Sequence, residues 1–438
     1  MNKRIILWAI ACLICLQMNA QNKIEFIEYD LPNGLHVILH EDKSVPTVMV
    51  SVLYHVGSKN EDPNRTGFAH FFEHLMFEGS ANIDRGEFDK YLDEAGGVNN
   101  ANTSQDRTFY FEVLPANQLE LALWMESERM LHAKVDKKGI ETQREVVKEE
   151  KRQRIDNQPY GSILEEVMKR AYTKHPYRWT PIGSMEHIDA AKEVDFKNFY
   201  ATYYVPNNAT LSIAGNIDIK QTKKWIDLYF GGIPKGKDVP RPNVEETAQI
   251  VEIRDVVYDN IQLPAVIHAF KIPNHNNEDY YAISMLMQLL SQGESSRFNK
   301  SIKTEQEKAL FVGAFPFDLE DEPNITITFG IVNAGVKPED LEKAMEAEYV
   351  KVKNELISEN EFQKLRNQIE NDFYTSNATV QGIAESLANY HVYYGDANLI
   401  NTEIDRYMKV KREDIQRVAK KYLKRNNRVT LYYLPKQN

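Results

Sequence analysis

Residues 193–213, EVDFKNFYATYYVPNNATLSI, recur in pattern as residues 412–433, REDIQRVAKKYLKRNNRVTLYY, at an offset near 219. Asp195 meets Asp414, Phe199 meets Val418, Tyr203 meets Tyr422, and Asn207-Asn208 meet Asn426-Asn427. Pro46 and Pro264, each opening a strand-like run, lie at nearly the same offset. A chain that echoes itself over this distance folds as two copies of one unit. The unit is α+β. TVMVSVLYHV (47–56), RTFYFEVL (107–114) and ATLSIAG (209–215) read as strands, and 117–132 and 137–155 as helices between them. PAVIHAF (264–270), NITITFGIV (324–332) and RVTLYYL (428–434) resume the scheme in the second copy. GGIPKGKDVPRPN (231–243) carries the turn residues of a linker. The expected division is a first domain over 24–230, a linker over 231–247 and a homologous second domain over 248–438, each an α/β sandwich with an antiparallel-rich sheet.

The first 20 residues read as an export signal, with Lys3 and Arg4 before an apolar core from Ile5 to Leu16 and a cleavage site after Met18-Asn19-Ala20. No later stretch reaches about 20 consecutive apolar residues, so no stable membrane insertion is expected after signal cleavage. The protein is therefore expected in the exported compartment, in the periplasm. Both cysteines, Cys12 and Cys15, fall in this leader. Ile14 precedes Cys15 where lipoprotein processing wants a small residue. The mature chain then has no disulfide, no thiolate ligand and no cysteine nucleophile, so a metal must be held by histidines and carboxylates. The formal charge is −11, and loss of Lys3 and Arg4 makes it −13. A net acidic chain without a basic run argues against nucleic acid as a partner.

GFAHFFEHLMFEGS (67–80) sets His70, Glu73 and His74 within five positions, in only the first copy of the repeat. On a helix, residues four apart share a face, so His70 and His74 can converge on one ion. Glu73 lies beside that face, within reach of a water at the metal but outside the ligand positions. Two histidines, a further carboxylate and an open position make a catalytic zinc shell rather than a structural one. Phe68, Phe71, Phe72, Leu75 and Met76 surround the trio, and so buried a helix would not keep these polar groups without a metal to pair them.

The further ligand is expected within ETQREVVKEEKRQR (141–154). With Val146 set at about 0°, Val147 falls at about 100°, Glu150 at about 40° and Glu149 at about 300°. Glu150 therefore points where the two valines point, and Glu149 is the next candidate.

With these residues in hand, the first half resembles the pitrilysin/insulinase family of zinc metallopeptidases, the inverzincins, in their short-chain processing-peptidase-like branch. HVGSKNEDPNRTGFAHFFEHLMFEGS (55–80) follows the family's run through the helix. The family's third ligand is a glutamate about 75 residues downstream, which falls on Glu150. In relatives, an Asn-Ala pair on a strand beside the zinc binds the substrate backbone, and here that pair is Asn100-Ala101, in GGVNNANTSQDRTFY (96–110). Such strand addition grips an extended peptide largely regardless of sequence. The resemblance implies one Zn2+ per chain, Glu73 as general base, and two homologous domains. It also implies pairing into a homodimer, or a heterodimer with a related zinc-less subunit, whose chamber admits unfolded peptides.

Two departures stand out. Gln143 occupies a position where relatives often have a glutamate, seven residues before the third ligand. In LLSQGESSRFNKSIKTEQEKALFVGAF (289–315), Lys303 and Phe311 stand near the family's arginine and tyrosine, which hold the substrate carbonyl. The expectation is a zinc endopeptidase for peptides or unfolded segments. The alternatives are a non-catalytic peptide-binding or structural subunit of a heterodimer, and a structural or storage zinc protein. The first conflicts with the intact His70, Glu73, His74 and Glu150 set, and the second lacks a fourth protein ligand.

Overall fold

The computed structural model describes residues 23–436, so the leader reading, with Cys12 and Cys15, lies outside the described residues. The first half runs β1 (Ile27–Asp30), β2 (His36–Glu41), β3 (Thr47–Tyr54), α1 (Phe68–Leu75), α2 (Glu87–Ala95), β4 (Val98–Thr103) and β5 (Thr108–Pro115). It continues with α3 (Leu119–His132), α4 (Lys137–Lys151), α5 (Ile163–Ala171), α6 (Met185–Ala190), α7 (Glu193–Tyr203), β6 (Ala209–Gly215) and α8 (Ile219–Phe230). The second half runs β7 (Ile253–Asp259), β8 (Ala265–Ile272), α9 (Glu278–Ser291), β9 (Ala309–Pro316), β10 (Asn324–Val332) and α10 (Pro338–Asn354). It closes with α11 (Glu359–Ser376), α12 (Val380–Tyr394), α13 (Leu399–Lys409), α14 (Arg412–Tyr422) and β11 (Arg428–Pro435).

The repeat is visible strand by strand. The first sheet has the order β1-β2-β6-β3-β5-β4 and the second β7-β11-β8-β10-β9. With β1 set aside, the two orders correspond, and each holds one parallel pair, β2 with β6 and β7 with β11. The architecture is tandem α+β, as the repeat predicts. At the same offset, His70, Glu73, His74 and Glu150 meet Leu289, Gln292, Gly293 and Ile369, so the second copy carries no metal-ligating set there.

Each half covers the other's sheet. Along β3 the side chains alternate: Val48, Val50, Val52 and Tyr54 face the core under α1 and α7, whereas Met49 and Leu53 face the opposite way. That second face is closed by Ile383, Ala384, Leu387 and Ala388 of α12, a helix from the second half. In exchange, Val167, Met168 and Ala171 of α5 close the face of the second sheet bearing Ile267, Ile327 and Leu431. α5 and α12 occupy corresponding places in the two copies. Central strands covered on both faces read as continuous apolar runs, which is why β3, β6 and β8 stand out in the sequence.

An ionic seam joins the halves as well. The buried Lys59 Nζ reaches Asp106 at 2.9 Å, Glu320 at 2.6 Å and Asp321 at 3.1 Å. The Glu246 carboxylate accepts from the backbone N–H groups of Thr173, Lys174 and His175. Although burial works against it, the His175 N–H and the other donors hold Glu246 at about 2. Among the described residues, no helix is long and apolar enough to cross a membrane.

Candidate metal centre

The helix that carries the motif, α1, is fixed at its start by two devices. Gly67 precedes it with φ of 98°, a left-handed conformation, and a Cβ there would sit 2.9 Å from the Ile182 carbonyl oxygen. The buried Glu61 carboxylate accepts from the N–H groups of Gly67 at 3.0 Å and Ala69 at 2.8 Å, satisfying donors that a helix start leaves free. Burial pushes the Glu61 carboxyl up to about 8, against these N–H bonds. Phe68, Phe71 and Phe72 then pack on Phe196, and Phe72 also on Phe199 of α7, which fixes the helix's rotation. That rotation turns His70 and His74 toward α4.

On α4 the buried face is Ile140, Arg144 and Val147, and Glu150 follows one turn later. Val146 is 43% exposed, so only one of the two valines points inward as the helical-angle reading expected. Glu150 still reaches the site because it follows Val147 by three residues. Glu149 faces solvent and bonds Arg152 and Gln153.

The structure brings His70, His74 and Glu150 together. His70 Nε2 lies 3.3 Å from His74 Nε2, and the Glu150 Oε2 is 3.0 Å from His74 Nε2 and 3.4 Å from His70 Nε2. Zinc bonds of about 2.0–2.1 Å in tetrahedral array would set ligand atoms about 3.3–3.4 Å apart. The three side chains thus fit one face of such a shell, with the remaining corner open. Hydrogen bonds from His70 and then His74 hold the Glu150 carboxyl well below the usual carboxylate range, in its ligating form. Arg154 Nη1 takes the other oxygen, Oε1, at 2.7 Å, leaving Oε2 for the site.

Glu73 is half-buried beside this triangle, and Thr103 Oγ1 donates to its Oε2 at 2.6 Å. Thr103 ends β4, the outermost strand of the first sheet. Ser104 N–H donates to Arg107 O across the turn, so the even residues of β4 bond β5 and the odd ones face away. Ala101 therefore presents its N–H to the free edge, where Oδ1 of Asn100 now accepts it at 2.9 Å. The Asn100-Ala101 pair thus sits on an open strand edge that shares a residue contact with Glu73.

Thr103, Arg154 and Glu61 were not among the residues singled out in the sequence. Arg154 follows Glu150 by four positions, a spacing that signals a helix-face pair. Thr103 shares the face of Ala101, two residues on. Glu61 has no local signature. Gln143 donates to the buried Glu78 at 2.5 Å, and Glu78 also pairs with Arg85. A glutamate at 143 would set a second carboxylate against Glu78, so the amide suits its neighbour. Lys303, on the helical turn Phe298–Glu305, and Phe311, 51% exposed on β9, make no hydrogen bond or ion pair with the His70–His74–Glu150 cluster.

A duplicated α+β chain with an inverted zinc-peptidase helix in one copy has the build of an insulinase-type protein. Residues 36–182 match the family model for insulinase (peptidase family M16), and residues 193–369 match the peptidase M16 inactive domain. The chain belongs to this family. It is 32% identical over 409 residues to the zinc protease PqqE of Helicobacter pylori, covering 92% of each chain. It is 25% identical to the uncharacterized zinc protease YmxG of Bacillus subtilis, over 69% of this chain and 73% of that one. Its fold superposes on a protease from Helicobacter pylori with a TM-score of 0.90 at 30% identity, over 94% of this chain and 100% of the other. The periplasmic protease PqqL of Escherichia coli shares the fold at a TM-score of 0.76 and 20% identity, with this chain spanning 47% of that one.

Proposed function

We propose that the chain is a zinc-dependent endopeptidase that hydrolyses peptides or unfolded segments, with His70, His74 and Glu150 holding one Zn2+ and Glu73 as general base. The observation that carries this reading is the triangle of ligand atoms at tetrahedral-edge distances, with Glu73 poised next to it. Zinc, when bound, supplies a Lewis acid that polarises a carbonyl and makes water a better nucleophile. The chain's own residues do the rest. Glu73 takes the proton of the attacking water and returns it to the leaving amine. Thr103 fixes the Glu73 carboxylate through Oε2, and Arg154 fixes Glu150 through Oε1. The free edge of β4 pairs with an extended peptide at Ala101, which selects unfolded segments over folded ones. The leader-like residues 1–20 support action in the exported compartment, the periplasm.

The second half supports a dimeric arrangement. It matches a domain described as inactive, and Lys303 and Phe311 stand where the family's substrate-clamping pair is expected. A heterodimer whose zinc-less partner brings that pair fits these residues, and full peptidase activity of this chain alone as a homodimer would remove the need for such a partner. The deciding experiment compares wild type with Glu73→Gln and Glu150→Gln. Glu73→Gln is expected to retain zinc and lose peptidase activity by about 10²–10⁴-fold, and Glu150→Gln to lose the zinc held by His70 and His74. Equal activity of Glu73→Gln and wild type would sink the reading.

A further inference from the structure

A second group of metal-ligating side chains lies at the opposite edge of the first sheet from β4. Glu28 and Asp30 stand two apart on β1 and so project to one face, and His36 of β2 lies directly opposite Asp30. His36 shares its face with Ile38, which packs against α12. His391 reaches the same place from α12, one turn beyond Leu387, and its ring stacks on that of His36 with centroids 3.5 Å apart. His36 Nδ1 bonds Asp30 Oδ1 at 2.8 Å. Its Nε2 is buried, makes no hydrogen bond, and lies 3.4 Å from Glu28 Oε2. One donor atom each from Glu28, His36 and His391 falls within 4.8 Å of the others.

A carboxylate on Nδ1 sets the tautomer of His36: the N–H points at Asp30 and the lone pair of Nε2 points into the cluster. That is how metal-ligating histidines are oriented. The stacked rings bring their nitrogens close together with parallel lone pairs, so the His391 ring must turn about its Cβ–Cγ bond for its lone pair to meet an ion held at Nε2 of His36. Glu28 is exposed on an edge strand and can close the shell.

We propose that Glu28, His36 and His391, with Asp30 orienting His36, form a second Zn2+ site that ties the edge of the first sheet to a helix of the second half. Two imidazoles and a carboxylate suit Zn2+. With three protein ligands the fourth position is left to water, as in the open shell of the motif; what makes this site a clamp is its place on the contact between α12 and the sheet it covers. It does not depend on the His70–His74 motif.

The test uses the tag-free chain with His70→Ala and His74→Ala, which removes both motif imidazoles. After equilibration with Zn2+ alone, metal per chain is measured by mass spectrometry and thermal unfolding is followed with and without Zn2+. One zinc per chain and a zinc-dependent rise in Tm are expected, both lost when His391→Asn is added. Asp30→Asn is expected to weaken zinc affinity by about 10–100-fold without changing Tm in a chelator. Absence of zinc in the motif-free chain, or zinc that survives His391→Asn, overturns the proposal. If the motif-free chain does not fold, the same count on the wild-type background decides. There His391→Asn is expected to remove one zinc, and an unchanged count overturns the proposal. Loss of zinc from Glu150→Gln reports on the motif site alone, so the two readings fail separately.

Discussion

Glu73 owes its orientation to a neighbour on another element, the Thr103 hydroxyl at 2.6 Å. Thr103→Val keeps the shape and removes the donor. A hydrogen bond to a charged group contributes about 1.5–3 kcal/mol, so kcat is expected to fall by about 10–100-fold. Zinc content should stay unchanged, and a kcat equal to wild type would show that Glu73 is held by other means. Glu61 offers a different handle. Its carboxyl is raised by burial from 4.5 to about 8 in the folded chain, so between those values folding retains a proton that unfolding releases. Stability from this group therefore falls as pH rises from about 4.5 to about 8. Chemical denaturation of wild type and Glu61→Gln across that window should show the wild type losing ground to the variant, and parallel curves would contradict it. That His70 and His74 would converge was legible because residues four apart share a helix face, and Glu150 was reached from helical angle and from the family's spacing; the structure sets its carboxylate beside them. Thr103 and Glu61 were not legible, because their partners are set by how β4 and the loop before α1 pack. The misjudged Val146 shows the same limit: angle fixes relative direction on a helix, and only packing fixes which side is inside.

At the scale of elements, the strands were legible wherever both faces are buried. β3 and β6 are continuous apolar runs, whereas β4, VNNANT, is polar and half-exposed and resembles a loop. That polarity follows from its place at the edge, where an apolar strand would invite aggregation. The outward N–H of Ala101 gives a test of what the edge does. Ala101→Pro removes that donor while leaving the bonds of Asn100 and Asn102 to β5, and proline is tolerated on an edge strand. Peptide KM is expected to rise by about 2- to 10-fold, the equivalent of one lost backbone hydrogen bond, with zinc content retained. Unchanged KM would move the peptide to another surface.

For the whole molecule, duplication was legible in the repeat, but the exchange of α5 and α12 between the halves was not. Their sequences are amphipathic either way, and nothing local states which sheet a helix will cover. The exchange has a consequence for independence. Glu246 accepts from Thr173 to His175 of the first half but also lies 3.8 Å from Lys271 Nζ of the second, which donates to the Thr247 carbonyl, and Gln249 donates to the Arg428 carbonyl. We propose a division after Thr247, as the linker reading expects. A first half ending at Thr247 would expose Ile38, Met49, Leu53, Phe109 and Ala214, the face that α12 covers. Contiguous apolar surface of that kind drives association. The second half alone would likewise bare Ile267, Ile327 and Leu431, from which α5 is missing. Each fragment is therefore expected to aggregate when expressed alone. The two expressed together should form a 1:1 complex by size-exclusion chromatography that unfolds in one transition. A monomeric, cooperatively folded 23–247 fragment would show that the first sheet does not need its borrowed helix. If the complex forms, the halves act as one folding unit despite their duplication, and the motif on α1 is held by a scaffold to which both copies contribute.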